Sequence, residues 1–296
     1  MTSRGIWRIL RLPLFVTAVA DVVAGYTVAI LPILGQFSWT RVGLLAGTSA
    51  GLYLFGMVEN DLADVRRDRL LRVPRPLVTG EINVAAAVAL LILTGGLAAV
   101  CAARLLGGAL VLAILTFGAI NLYNFGAKRG PSYVAMGVMG LCRLLNFGIG
   151  VAAAVGVPQP VGADLFLPSG PLWVRQGLAL FFATAVVTGY SISARADYTV
   201  STRPWQAMFV AAVVGGFGMI ALSTALYPPA EGGVRFVAPV ARVFAAMLLP
   251  ALWPGGLWSA AGPQRRPEEY APFTERALYW LIAMDAAFVL DGMLVR

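Results

Sequence analysis

Apolar residues fall in long blocks along this chain, and the polar positions between them are few and bunched. Charge-free runs cover 82–103, 105–127, 176–194 and 204–230, with shorter ones at 42–58 and 243–264. Residues 130–163 form another, crossed only by Arg143, and the segments 12–34 and 277–295 carry Asp21 and Asp285 within largely apolar sequence. A bilayer-spanning helix needs about 20 mostly apolar residues, so each block is a candidate span. Backbone groups inside lipid must find partners within their own segment, which makes these blocks helices. The pattern predicts an all-α integral membrane protein with nine spanning helices in one domain over 1–296, the eighth shortened by Pro250 and Pro254.

Composition sharpens this picture. A mean hydropathy of +0.80 with only 12% charged residues lies outside the range of soluble globular chains. Threading nine helices from a cytoplasmic amino terminus puts Arg4, Arg8, Arg11, the five arginines from Arg66 to Arg75, Lys128, Arg129, Arg195, Arg203, Arg265, Arg266 and Arg276 on the inner side. The outer side receives Arg41, Arg104, Arg175, Arg235 and Arg296. That excess predicts the cytoplasmic orientation by the positive-inside rule, and it accounts for the net charge of +8 without nucleic acid. No basic stripe interleaves with aromatics as a nucleic-acid surface would require. The first apolar run reads as a span, since it is long, contains Asp21 and lacks a small-x-small cleavage site. Histidine is absent, which excludes haem ligation through histidine, histidine zinc sites and Ser-His-Asp catalysis. Cys101 and Cys142 both fall in apolar helices, where a disulfide is not expected.

The densest polar bunch is "ENDLADVRRDRLLRVPRP", residues 59–76. At helical pitch Asp64 lies about 60° from Asp61, Asp68 about 20° from Asp61, and Asn60 roughly 40° from Asp64. Three carboxylates and an amide then share one face where a span leaves the bilayer. Carboxylates that close repel unless a cation lies among them. Oxygen donors without histidine or cysteine favour a hard cation, Mg2+ in particular, held by a few carboxylates and completed by water and phosphate oxygens. The alternative is a solvated helix at the membrane surface whose acids pair with Arg66, Arg67 and Arg69. The single-faced placement of the acids favours the metal.

Further polar residues sit on the same predicted side. "NLYNFGAKRG" ends the fourth span with Asn121, Tyr123, Asn124 and Lys128; "LCRLLNFG" in the fifth carries Arg143 and Asn146; Tyr190, Ser193 and Asp197 line one face at the end of the sixth. Taken singly, Tyr123 and Tyr190 are ordinary interfacial aromatics and Lys128 an ordinary anchor. Arg143 lies about a dozen residues into its span and therefore needs a partner or a wet cavity. Asp21, Asp285 and Asp291 are the available acids, either as its partner or as polar groups in helix packing.

The pattern N-D-x-x-D-x-x-x-D after the second span, followed by Arg75-Pro76-Leu77-Val78-Thr79-Gly80, resembles the UbiA-type intramembrane prenyltransferases. The likeness extends to Tyr123 and Lys128 and to an acid after the sixth span, so it covers essentially the whole chain. "RLLNFGIG" and "RLPLFVTAVADVVAG" resemble the bacterial Ebo-type branch. The resemblance implies a bundle open sideways to lipid, in which Mg2+ ions hold an isoprenyl diphosphate. Carried over by position, it makes Asn60, Asp61, Asp64 and Asp68 the first metal-binding motif, with the three aspartates catalytic. It makes Arg75, Tyr123 and Lys128 diphosphate contacts, and Arg143, Asn146, Tyr190 and Ser193 further substrate contacts. Most of the family has D-x-x-x-D after the sixth span; here "SARAD" offers Ser193 and Asp197, leaving Asp197 as the one carboxylate for a second metal.

The implied activity is Mg2+-dependent transfer of an isoprenyl group from a polyprenyl diphosphate to a lipophilic acceptor, aromatic or hydroxyl, at the cytoplasmic face. The missing acid at Ser193 motivates an alternative, a non-catalytic relative that binds or moves a prenyl lipid or metabolite. An ion-coupled transporter fits less well, because such sites lie near the bilayer midplane and the acids here gather at its edge.

Overall fold

A computed structural model of the chain describes residues 2–30, 37–155 and 170–193, together with Leu281, Ile282, Asp285, Ala286 and Val289. The described residues are helical, with no strand among them. Helices α1 (Ser3–Leu10) and α2 (Leu12–Ile30) are followed by α3 (Trp39–Leu70), the single turn α4 (Pro76–Thr79), α5 (Val84–Leu105) and α6 (Gly107–Phe125). A short 3-10 turn at Ala127–Arg129 leads into α7 (Ser132–Val155), and α8 runs from Gly170 to Ser193. Among the described residues four helices are long and apolar enough to cross a membrane: Trp39–Leu70, Val84–Leu105, Gly107–Arg129 and Ser132–Val155. The bent pair α1 and α2 is a possible fifth. The expected seventh and eighth spans lie outside the described residues, as does most of the ninth.

One expectation changes in detail. Helix α2 starts at Leu12, where the first span was expected to start, and residues 31–34 of that span lie outside the described residues; ahead of it α1 meets α2 at Arg11, whose backbone takes the left-handed conformation (φ 47°), and the pair bends by 44°. The second span continues twelve residues past its apolar run, to Leu70. Thirty-two helical residues rise about 48 Å, whereas the hydrocarbon core is about 30 Å thick. The charged end of α3 therefore projects beyond the lipid core, and the acids ride on that projection.

Local chemistry sets the helix starts. Thr2, Ser38 and Asn83 cap α1, α3 and α5, their side-chain oxygens accepting from the backbone N–H groups of Gly5, Arg41 and Ala86 at 3.1, 3.3 and 2.8 Å. Between helices, small residues permit close contact where lipid supplies no hydrophobic drive. A Cβ on Gly150 would stand 2.0 Å from the Val22 carbonyl oxygen, and one on Gly25 would stand 2.2 Å from that of Phe147. These two glycines let α2 and α7 cross backbone to backbone. Gly150→Val should destabilise the fold by about 3 kcal/mol, the upper end for overpacking, because backbone cannot yield as a side chain does. Thermal unfolding in detergent checks this, and an unchanged midpoint would contradict the crossing. Ile92, Leu93, Val100, Val111 and Ile114 are exposed on α5 and α6. In a bilayer these side chains face lipid.

Candidate functional site

The projecting end of α3 places Asp61, Asp64 and Asp68 on one side, and that side is inward: they are 2%, 8% and 2% exposed. The solvated-helix alternative fails on this point, since the acids lie beneath other elements. Glu59 is buried as well (5%), at the turn above.

Three cations close over the acids, each from a different element. Arg75 caps α4. The chain leaves α3 at Leu71, reverses through a left-handed Arg72 (φ 51°), and is tied back by the Val73 N–H donating to the Asp68 carbonyl at 2.9 Å. Pro76 then opens the turn with Arg75 extended (ψ 152°), and Gly80 ends it at φ 76°. Proline at the first helical position and a left-handed glycine after the last define a one-turn helix, so the spacing Arg-Pro-x-x-x-Gly is a device for aiming Arg75. Its Nη1 donates to Asp61 Oδ1 at 3.0 Å, and its Nε stands 3.8 Å from Asp68 Oδ2.

Lys128 comes from the 3-10 turn after α6 and is buried. Its Nζ donates to Asn60 Oδ1 at 2.9 Å and lies 2.9 Å from Asp64 Oδ1. Arg11, at the α1–α2 bend, reaches Asp61 Oδ1 with Nη2 at 3.5 Å. Asn124 braces the same corner, its Nδ2 donating to Glu59 Oε2 at 2.8 Å and to the Gly56 carbonyl at 3.1 Å. Tyr123 lies on the same last turn of α6, half-buried.

Acceptor capacity remains in this site. Asp61 Oδ2 and Asp68 Oδ2 are buried with no hydrogen bond among the described residues. Buried oxygens in that condition are uncommon and call for a cation, a water or a donor. No three acids converge on a single point among the described residues. The row is therefore not a closed protein cage for a metal; it fits a hard cation held by one or two carboxylates, with water and phosphate oxygens completing the shell.

Arg143 and Asn146 do not join this row. The Arg143 guanidinium is buried against α2, where it donates to the Asp21 carboxylate, to the Thr17 carbonyl at 2.8 Å and to Thr17 Oγ1 at 2.6 Å. Asn146 Nδ2 donates to the Ala18 carbonyl at 2.8 Å and reaches Asp21 Oδ2 at 3.4 Å. Asp285 is buried close to Asp21 and Arg143. Among the described residues Asp21 is the acid that Arg143 donates to, and Arg143 and Asn146, expected as substrate contacts, bond here within a cluster between α2 and α7. Asp197 and Asp291 lie outside the described residues, as do the side chains of Tyr190 and Ser193.

Sequence reasoning missed Arg11 and the Glu59–Asn124 brace. Glu59 carried a signal, as the acid next to Asn60, but it points about 100° away from that neighbour. Arg11 carried none, because nothing local announces a bend that turns it toward α3.

No family model matches the chain, and no curated protein matches it either. Solved structures do. A UbiA homologue from Archaeoglobus fulgidus, bound to DMAPP and Mg2+, is 18% identical with a TM-score of 0.66, over 97% of this chain and 99% of that one. A UbiA homologue from Aeropyrum pernix K1, in its apo form, is 18% identical with a TM-score of 0.64, over 94% and 97%. A digeranylgeranylglyceryl phosphate synthase is 15% identical with a TM-score of 0.65, over 98% of each chain. The chain has the fold of these proteins.

Proposed function

We propose that this chain, folded as the UbiA homologues are, is an intramembrane prenyltransferase that moves an isoprenyl group from a polyprenyl diphosphate to a lipophilic acceptor, with Mg2+ as cofactor. One observation carries the reading: three carboxylates buried on one face of α3 beneath Arg75 and Lys128, two of their oxygens without a hydrogen bond among the described residues. Such a set has little purpose as a surface, and its donors suit a hard cation with a phosphate ligand.

Asn60, Asp61, Asp64 and Asp68 would hold the metal, with Asp197 as the single acid of the second motif. When bound, Mg2+ supplies Lewis-acid neutralisation of the charge that gathers on the departing diphosphate. Arg75 offers a planar fork to phosphate oxygens and Lys128 a compact charge. Both stand over the acids already, so they bind and orient the diphosphate and leave its allylic end toward the apolar interior. A dry bundle keeps water from the allylic carbon while the acceptor attacks. The 15 to 5 split of basic residues supports a cytoplasmic mouth and amino terminus. The finer assignment to the Ebo-type branch rests on the two sequence stretches alone.

The test is diphosphate release by the purified chain, given geranylgeranyl or farnesyl diphosphate with Mg2+ and a panel of aromatic and hydroxyl acceptors. Release that EDTA abolishes is expected. Mg2+-dependent stabilisation by a non-hydrolysable analogue, with no release across the panel, would instead establish the non-catalytic binder that the missing acid at Ser193 suggests.

A further inference from the structure

Arg75 meets Asp61 and Asp68 from α4, a helix of a single turn. One turn fixes several backbone angles for very few hydrogen bonds, so it does not hold its own direction. Its bracing comes from α1. The Arg8 guanidinium donates to the Pro74 carbonyl at 2.5 Å and to the Glu81 carboxylate. One side chain thus ties together the residues just before and just after the Arg75–Gly80 turn. Within the turn, Thr79 Oγ1 stands 3.2 Å from Glu81 Oε1 and 3.2 Å from the Arg75 carbonyl. The Thr2 N–H donates to the Glu81 carbonyl at 3.2 Å. Gly5 permits this seat, since a Cβ there would stand 2.9 Å from Glu81 Cβ and 3.1 Å from the Glu81 carbonyl oxygen. Ile9 and Leu10 of α1 are buried with Leu77 and Ile82 in one apolar cluster.

We infer that Arg8 and Glu81 are positioning residues, which clamp α4 across its two ends and hold the Arg75 guanidinium in the direction of the acid row. This rests on the proposed prenyltransferase reading, in which Arg75 contacts a diphosphate, and adds to it two residues that act through Arg75. An arginine suits the task, because its planar fork meets a carbonyl and a carboxylate at once where a lysine offers a point charge. The Arg8 side chain is 39% exposed and that of Glu81 22%, so the pair contributes little to global stability. What it fixes is direction. A displacement of about 1 Å in a group that grips substrate is enough to lower affinity or rate.

The experiment is a double-mutant cycle on the purified full chain, reading the affinity for a non-hydrolysable geranylgeranyl diphosphate analogue at saturating Mg2+ by isothermal titration calorimetry. Arg75→Met should weaken binding about tenfold or more, the scale of one charge-assisted contact. Arg8→Met should weaken it about threefold to tenfold, the scale of coupling between neighbouring groups, with a thermal midpoint close to that of wild type. In the Arg75→Met background Arg8→Met should have no further effect, because no guanidinium is left to aim. Glu81→Gln is the sharper arm. Loss of a negative charge would by its field alone tighten an anion, whereas loss of the clamp weakens it, so weaker binding is expected here too. Unchanged or tighter binding in a folded Glu81→Gln would overturn the inference, and this arm decides the matter even if Arg8→Met does not fold. An equal loss from Arg8→Met in both backgrounds would also overturn it, since Arg8 would then act on the diphosphate by itself; either result leaves the prenyltransferase reading intact. Arg75→Met binding as tightly as wild type would overturn the inference together with the role of Arg75, and failure of wild type to bind the analogue would overturn the inference and the reading alike.

Discussion

Asp64→Asn should lower Mg2+-dependent diphosphate release by about 100-fold or more, the scale seen when one well-placed electrostatic group is removed from an active site. Asparagine keeps the shape of aspartate and an oxygen for Lys128, which also holds Asn60. Packing is thus disturbed little, and what disappears is the negative charge that suits the position to a hard cation. Lys128 loses its ion pair with residue 64 and keeps neutral oxygens there and on Asn60, so some loss of thermal stability is expected alongside. The decisive comparison is at saturating Mg2+ with folding checked on the same sample. A folded Asp64→Asn protein that released diphosphate at the wild-type rate would remove this carboxylate from the chemistry.

The largest effect on stability is expected away from that site. Asp21→Ala should destabilise the chain by about 3–5 kcal/mol, because it removes the carboxylate that the buried Arg143 guanidinium donates to and leaves Asp285 as the one acid close by among the described residues. Arg143 is 9% exposed and Asp21 wholly buried, so water cannot take the missing partner's place. Thr17 would still accept two hydrogen bonds but cannot neutralise the charge. Combining Asp21→Ala with Arg143→Met should recover part of the loss, since the stranded charge goes with its partner. Thermal midpoints of the two single variants and the double variant, measured in one detergent, test this; strict additivity of the two losses would contradict the pairing.

The two clusters differ in how far sequence alone could reach them. The acid row was legible because helical periodicity is local: Asp61, Asp64 and Asp68 fall on one face wherever the helix goes, and the helix runs unbroken through them. The aim of Arg75 was half legible, since Pro76 and Gly80 mark a tight turn but not its direction. Lys128 meeting Asn60 across 68 residues of chain was not readable from spacing, because it depends on how α6 packs against α3. Arg143 announced its need of a partner by its depth in an apolar run. Which acid answered it depended on the crossing of α2 and α7 at Gly25 and Gly150, and two glycines among 33 do not declare a crossing. The length of α3 was underestimated for a plain reason. Apolar runs report where lipid ends, and a charged helix with good formers such as Leu62, Ala63, Arg66, Arg67 and Arg69 continues past that point.

The most direct measurement is a structure of the protein with Mg2+ and a non-hydrolysable prenyl diphosphate analogue. Metal density about 2.1 Å from an Asp61, Asp64 or Asp68 oxygen, with phosphate oxygens against Arg75 and Lys128, is the expected result. A bound analogue seated elsewhere, with Lys128 still on Asp64, Arg75 still on Asp61 and no metal among the acids, would contradict it.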